Sequence, residues 1–283
     1  MLESMFNPKR LEKGPWKMLF IGILYASLSL ILVKLFFSGD PVLSQYSGMI
    51  VITFCVMLVI PFMYFIITEE EAEDEEVFGV LSVWRIHKDA IYSFLWLFLG
   101  FVVAFSFWYI VLQDSNLFNA QIETFCRINN PTNINGCVQG YSLSRTTGSA
   151  VNEIRLLSII ENNVYVMIFT LILSLIFGAG AMFVLAWNAS VIATAISIFG
   201  QNKISDIPLG LARYMIHGFP EIASYFIAAL AGGIFGVGVL RNGFRDKKFV
   251  HVIENTAALL FVALAILIIA AVMEVYLTPL IFN

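Results

Sequence analysis

The sequence predicts an all-α, polytopic transmembrane helical bundle with about seven membrane segments, of which one is short and one is re-entrant or interfacial. Apolar residues make up 59% of the 283 residues and charged residues only 13%, against roughly 45–50% and 25% in soluble domains. Stretches of about 20 apolar residues, the length that spans a bilayer core, recur along the chain. This composition excludes an ordinary soluble globule, a disordered chain and a disulfide-rich secreted domain.

The first region, residues 1–67, is expected to form an interfacial foot and a two-helix membrane hairpin. Asn7 can cap a helix that begins at Pro8, and the spans cover residues 16–37 and 48–67. The first span is too long for the apolar part of a signal peptide. Basic residues lie before it or at its start, at positions 9, 10, 13 and 17, which favours a cytoplasmic N-terminus because Lys and Arg are retained on the inner side.

The second region, residues 68–89, is an acidic loop that accounts for the net charge of −4. Seven of the 20 acidic residues lie between positions 69 and 76, so the rest of the chain has 16 basic against 13 acidic residues. We expect a solvated cytoplasmic loop, and recruitment of a basic partner through it stays open. Overall acidity therefore says nothing about partners, and no basic cluster with interleaved aromatics indicates nucleic-acid binding.

The third region, residues 90–283, is expected to be the membrane core, with an extracytoplasmic segment at 113–163. Full-length spans are predicted at 90–112, 164–187, 220–240 and 256–277. The basic residues between 241 and 248 belong inside, so the chain must leave and return after the fourth span. The outward leg can only be the short stretch 189–199, and this parity places the C-terminus outside. We interpret residues 207–217 as an interfacial or re-entrant helix that breaks between Gly218 and Pro220.

The extracytoplasmic segment carries two of the three cysteines. Ten residues separate Cys126 from Cys137, and they include the turn-forming pairs Asn-Pro and Asn-Gly. A disulfide bond between them is expected if the outside is oxidising, with two unrelated thiols as the alternative. We expect no metal site here because the segment has no other Cys or His.

Five polar residues within or beside the apolar segments form a candidate polar centre: His217, Glu221, Glu274, Arg213 and Asn188. Ionisable groups in a span are costly and often functional, which suggests a paired centre for an ion, a lipid headgroup or a protein partner. In this interpretation Glu274 pairs with His217 or Arg213. Structural roles are the alternative: Glu221 at a helix N-terminus, His217 at the interface, Glu274 at a helix end before a proline, and Asn188 as a C-cap on the inner side.

Glycines in the sixth segment indicate helix packing rather than chemistry. Gly232 and Gly236 form a small-xxx-small pair that allows close helix contact. The three histidines are scattered along the chain, and the sequence has no P-loop, GxSxG, HExxH or CxxC motif. We therefore expect no bound metal, no cofactor and no enzymatic activity.

The second half of the chain resembles the stage II sporulation protein M family. The resemblance rests on the motif from His217 to Ala223, on the terminal motif from Glu274 to Pro279, and on Asn188. The N-terminal pattern from Asn7 to Trp16 is similar to that of archaeal members, whereas Ala189 departs from the glycine that the family commonly has. The resemblance implies a non-catalytic, multi-pass protein; the bacterial member is similar to a scaffold that anchors a peptidoglycan-degrading complex.

The leading hypothesis is an integral membrane scaffold or complex subunit that organises cell-envelope partners in the cell membrane. It implies a protein partner or a homodimer besides the lipid bilayer. The alternative is a permease or channel component that uses a broken helix at His217 and Glu221, as in transporters with discontinuous helices. An intramembrane enzyme with His217 and Glu221 or Glu274 as acid and base ranks last, since no nucleophile or metal set accompanies them.

Overall fold

The computed structural model describes residues 14–74, 80–129, 134–140, 152–177, 182–199, 203–242 and 247–282. Within these ranges it has helices and no strand, which confirms the all-α fold. The predicted foot at residues 1–13 lies outside them. The α-helices, numbered in chain order, are α1 (Lys17–Phe37), α2 (Ser47–Asp74), α3 (Val80–Leu112), α4 (Asn119–Asn129), α5 (Ile134–Gly140), α6 (Asn152–Phe177), α7 (Met182–Phe199), α8 (Ile207–Asn242), α9 (Lys247–Val272) and α10 (Thr278–Phe282).

Six stretches in these helices are long and apolar enough to cross a bilayer. They are Lys17–Phe37, Leu43–Pro61, Ile91–Leu112, Leu156–Leu175, Ile207–Gly236 and Val250–Phe282, and a shorter apolar stretch is Met182–Ile198. The chain is therefore a multi-pass membrane protein. The seven apolar segments of the described residues agree in number with the sequence prediction, and one of them is short.

Helices α1 and α3 run parallel and approach each other closely through glycines. A β-carbon added to Gly22 would lie 2.5 Å from the carbonyl oxygen of Leu97, and one added to Gly100 would meet the backbone of α1. Further along both helices, Trp108 Nε1 donates a hydrogen bond to Ser27 Oγ at 2.8 Å. Residue numbers rise together along the pair, so the two helices point in the same direction.

Helices α6 and α8 form a second parallel pair of the same kind. A β-carbon on Gly232 would lie 2.7 Å from the carbonyl oxygen of Leu171, and one on Gly236 would lie 2.8 Å from that of Leu175. The predicted small-xxx-small pair therefore faces α6 inside one molecule. Of the apolar stretches, the one in α8 is 72% buried and the one in α6 only 17%, so α8 is central and α6 peripheral.

The predicted boundary of the fourth span is wrong. The span was expected at 164–187, but α6 ends at Phe177 and α7 begins at Met182. The sequence has glycines at positions 178 and 180, and glycine is a poor helix former. The outward leg is therefore longer than expected: the 18 residues of α7 rise about 27 Å.

The predicted break at Gly218 and Pro220 is also wrong. Helix α8 runs unbroken over 36 residues with Pro220 in its interior, so this part of the chain has no separate re-entrant piece. An interior proline removes one helical hydrogen bond and costs about 3 kcal/mol in an isolated helix. The packing that buries most of the apolar stretch of α8 offsets this cost, because neighbouring helices in a membrane can satisfy the freed groups.

Helix also extends into both ends of the acidic region 68–89. Helix α2 continues to Asp74 and α3 already begins at Val80. Glutamate is a good helix former, so the acidic run prolongs the span into the aqueous phase.

Candidate functional site

One side of α8 carries most of the polar residues that the sequence singles out. Arg213, His217, Glu221 and Tyr225 follow each other at intervals of four residues, and the first three are half-buried while Tyr225 is buried. Because α8 is continuous through Pro220, residues at this spacing lie on one face. The continuous helix, and not a break, therefore brings these side chains into line.

The carboxyl group of Glu221 is the centre of this arrangement. It accepts a hydrogen bond from Tyr225 Oη at 2.9 Å and one from the side chain of Asn163 on α6. Glu274 lies close enough to interact electrostatically with both Glu221 and Tyr225. The structure thus brings Glu221 and Glu274 together, two residues that lie 53 positions apart in the sequence.

Glu274 lies in a π-helical segment, Met273–Leu277, between α9 and α10. Pro279 follows two residues later and cannot donate to the carbonyl four residues before it, which favours a wider turn. Thr278 Oγ1 donates to the carbonyl oxygen of Met273 at 3.1 Å, which ties the segment together. Such π segments are frequent at functional sites, and the sequence motif gave no signal for this one.

His217 contacts the same end of the chain. Its Nδ1 lies 3.0 Å from Thr278 Oγ1, and Thr278 is one turn beyond Glu274. The expected pairing of Glu274 with His217 or Arg213 stays a prediction. Helix α8 interacts with the terminal motif at two positions: Glu221 interacts electrostatically with Glu274, and His217 contacts Thr278.

Asn188 is not part of this cluster, and its expected place as a C-cap is wrong. It lies in the interior of α7, where its Nδ2 donates to the carbonyl oxygen of Val184 at 2.7 Å. The error follows from the span boundary, because a residue placed at the end of the fourth span lies seven residues into the next helix. Its side chain lines a cavity instead.

This cavity lies between α6 and α7 and has a volume of about 390 Å³. Its lining consists of apolar side chains and three polar, uncharged ones: Met49, Val166, Phe169, Phe183, Val184, Trp187, Val191, Thr124, Asn162 and Asn188. Asn162 Nδ2 donates to Asn163 Oδ1 at 3.2 Å. A chain of hydrogen bonds therefore leads from the cavity through Asn162 and Asn163 to Glu221.

Sequence reasoning missed Asn162 and Asn163 as site residues. The two asparagines were interpreted only as the polar boundary of an apolar stretch. Their one distinguishing signal is that they are consecutive, so they point to different sides of α6. One side faces the cavity and the other faces α8.

A helical cap, which consists of α4 and α5, covers one end of the bundle. In the cap, Cys126 and Cys137 form a disulfide bond, with Cα atoms 5.7 Å apart. The third cysteine, Cys55 in α2, is a buried free thiol. Gln121 Nε2 donates to the carbonyl oxygen of Gly48 at 3.0 Å, and Asn119 Nδ2 donates to that of Gln45. These bonds join the cap to the start of α2.

An open cavity of about 480 Å³, the cap cavity, lies between the cap and the start of α2. It is lined by polar and apolar side chains in similar number: Gln45, Tyr46, Met49, Asn119, Ala120, Glu123, Ile134, Asn135 and Val138. Among the described residues no group of three or more His, Cys, Asp or Glu side chains could hold a metal ion.

Comparison with known proteins gives one match. A family model described as Stage II sporulation protein M matches residues 92–279. The matched part contains the cap, α6 to α8 and the terminal motif, and leaves α1 and α2 outside. No curated protein and no solved structure matches the chain.

Proposed function

The chain belongs to the stage II sporulation protein M family, and from this premise we propose that it is a non-catalytic membrane scaffold or complex subunit that organises cell-envelope partners. The cap at one end of the bundle is the observation that carries the proposal. A scaffold needs a surface that holds its shape outside the bilayer, and the cap offers one.

Two contacts support a rigid cap. Gln121 is fully buried and binds the backbone at Gly48, and a β-carbon at Gly48 would collide with the Gln121 side chain. The bond between Cys126 and Cys137 joins α4 to α5. In the proposed function this disulfide forms in the oxidising environment outside the cell.

The cap cavity supports a protein as the partner. Its lining mixes exposed Tyr46 and Met49 with the polar groups of Gln45, Asn119 and Glu123. Interface cores are typically rich in aromatic and methionine side chains, surrounded by polar groups. A partner segment with one apolar anchor side chain and hydrogen-bonding neighbours fits this lining.

In the proposed orientation the protein lies in the cell membrane with a cytoplasmic N-terminus, and the cap and the C-terminus lie outside. The lysine and arginine distribution supports it. The parallel direction of α1 with α3 and of α6 with α8 is consistent with it, since each pair then crosses the bilayer in the same sense. An impermeant thiol reagent that modifies Cys126 without prior reduction would contradict the proposed disulfide.

Site-specific photocrosslinking tests the scaffold proposal. A benzophenone amino acid at Asn135, at the mouth of the cap cavity, should trap one discrete partner or a second copy of the chain in intact membranes. The matched control is the same amino acid at Phe261, an exposed position on the lipid-facing side of α9, which should give no protein adduct.

A second substitution makes the result specific to the cavity. Ala120→Trp fills the cavity that Ala120 lines and should abolish the adduct from Asn135. An adduct that persists in Ala120→Trp, or a purified monomer that forms no adduct at all, would contradict the scaffold role.

The permease alternative loses its original basis, because α8 is not broken. The electrostatic proximity of Glu221 and Glu274 is the observation that still favours it, since carboxyl groups inside a membrane bundle often mark ion paths. Solute flux in reconstituted vesicles that Glu221→Gln abolishes, and Tyr165→Phe on the exposed face of α6 does not, would support a permease over a scaffold.

A further inference from the structure

The cavity between α6 and α7 has no part in the scaffold role. Its wall is mostly apolar, and the rings of Phe183 and Trp187 stack in it with centroids 6.4 Å apart. Cavities of several hundred Å³ with an apolar wall and a few well-placed polar groups are typical of sites for small ligands. The three polar residues Thr124, Asn162 and Asn188 therefore decide what chemistry the site accepts.

The orientation of the Asn188 amide follows from its hydrogen bond. A backbone carbonyl can only accept, so the bond to Val184 must come from Nδ2 of Asn188. The amide oxygen is then the acceptor that Asn188 offers to the cavity.

Asn162 is oriented in the same way, through a chain that begins at Glu221. Asn163 Oδ1 accepts a hydrogen bond from Asn162 Nδ2 at 3.2 Å, and a side-chain hydrogen bond links Asn163 to Glu221. The oxygen of Asn162 remains for the cavity. Thr124 Oγ1 donates its only proton to the carbonyl oxygen of Ala120 at 2.8 Å, so it also offers an acceptor.

We propose that this cavity binds a neutral amphiphile with a hydroxyl-bearing head, such as a diacylglycerol. Its hydrocarbon chain lies along Phe183 and Trp187, and its hydroxyl group donates to the amide oxygens of Asn162 and Asn188. The described lining has no lysine or arginine, the side chains that hold phosphate groups. A hydroxyl group in apolar surroundings needs a hydrogen-bond partner to offset its desolvation, so the amide oxygens select it over a capped head.

Quenching of Trp187 fluorescence tests the proposal on the purified full chain in nanodiscs. Diacylglycerol brominated on its acyl chains should quench saturably, and the quenched component should vanish in Trp187→Phe, which isolates it from the other four tryptophans. The matched probe is the same lipid with its hydroxyl group acetylated. Its affinity should be lower by about tenfold, as expected for the loss of one buried hydrogen bond.

Two apolar substitutions carry the residue-level test. Asn188→Leu and Asn162→Leu keep a side chain of similar size in the lining but remove one hydrogen-bond acceptor each. Each should weaken diacylglycerol binding by about tenfold. Asn162 is exposed, so its variant keeps the test valid even where Asn188→Leu fails to fold. Thr53→Val, which removes an exposed hydroxyl that bonds only within its own helix, should leave binding unchanged.

Equal quenching by the acetylated probe, or by brominated phosphatidylcholine, would mean that any lipid chain fills the cavity and would overturn the proposal. Unchanged affinity in Asn162→Leu would overturn it as well. The two cavities share Met49, but Asn162, Asn188 and Trp187 do not line the cap cavity, so neither result bears on the scaffold role.

Discussion

The two parallel helix pairs, α1 with α3 and α6 with α8, both pack through glycines, but they differ in the polar side chains between the helices. In the first pair Gly22 and Gly100 bring the backbones together. In the second pair Gly232 does the same, but there α6 and α8 also hold a carboxyl group, Glu221, with its hydrogen-bond donor Asn163. Close glycine contact is therefore a general means of joining helices in a membrane and does not mark a functional site. The Glu221 carboxyl group and its polar partners make the second pair the candidate site.

The largest effect is expected from Gly100→Ala in the first pair. The added methyl group would meet the backbone oxygen of Leu19, and since neither backbone can move aside without separating the helices, the free energy of unfolding should fall by about 2–3 kcal/mol. Denaturant unfolding in detergent measures this. Gly39→Ala is the matched control, because nothing lies within 4 Å of its β-carbon position. Equal stability of the two variants would show that the first crossing is looser than described.

A smaller loss is expected from Gly232→Ala in the second pair. The new methyl group would lie 2.7 Å from the Leu171 carbonyl oxygen, but α6 is peripheral and can shift outward, so we expect about 1–2 kcal/mol. Gly218→Ala is the control in the same helix. Its nearest neighbour is the flexible end of Met215 at 3.4 Å, and it should be neutral or stabilising by up to about 1 kcal/mol. A larger loss in Gly232→Ala than in Gly100→Ala would reverse the comparison.

Tyr225→Phe should affect only the second pair. It removes the hydrogen bond to Glu221 at 2.9 Å while Asn163 remains, so the free energy of unfolding should fall by about 1 kcal/mol. The control Tyr165→Phe removes an exposed hydroxyl on α6 and should change nothing measurable. If both substitutions change the free energy of unfolding equally, the hydrogen bond from Tyr225 to Glu221 stabilises the protein no more than an exposed hydroxyl group does.

The sequence predicts the fold class well because a bilayer imposes a length and an apolar composition on every span. It predicts helix ends poorly in the core: the boundary near Asn188 and the break at Pro220 are both wrong. Local signals such as glycine and proline do not include the packing that keeps α8 continuous. The proximity of Glu221 to Glu274 and the hydrogen bonds through Asn162 and Asn163 depend on which helices are neighbours, and a single sequence does not state that.

The smallest effect is expected at Asp40, in the loop that follows α1. The Asp40 carboxylate accepts hydrogen bonds from the backbone N–H groups of Leu43 and Val42, which lower its pKa below the usual 3.8. The ionised Asp40 therefore stabilises the loop fully above pH 3.8, and this stabilisation is lost as the pH falls through the lowered pKa. Amide hydrogen exchange at Val42 and Leu43, corrected for the intrinsic pH dependence, should report less protection only at the lowest pH. Asp40→Asn should show no such change, and a loss of protection beginning well above pH 4 would contradict the assignment.

The candidate site requires that α8 is one continuous helix, because only then do His217 and Glu221 lie on a single face. Spin labels at Ala212 and Val239, in a chain with Cys55→Ser, measure this directly by pulsed electron paramagnetic resonance. Their separation of 27 positions predicts a narrow distance distribution near 40 Å for an unbroken helix. A broad distribution centred well below about 30 Å would mean that the chain turns back near Pro220, and the described cluster around Glu221 would then be incorrect.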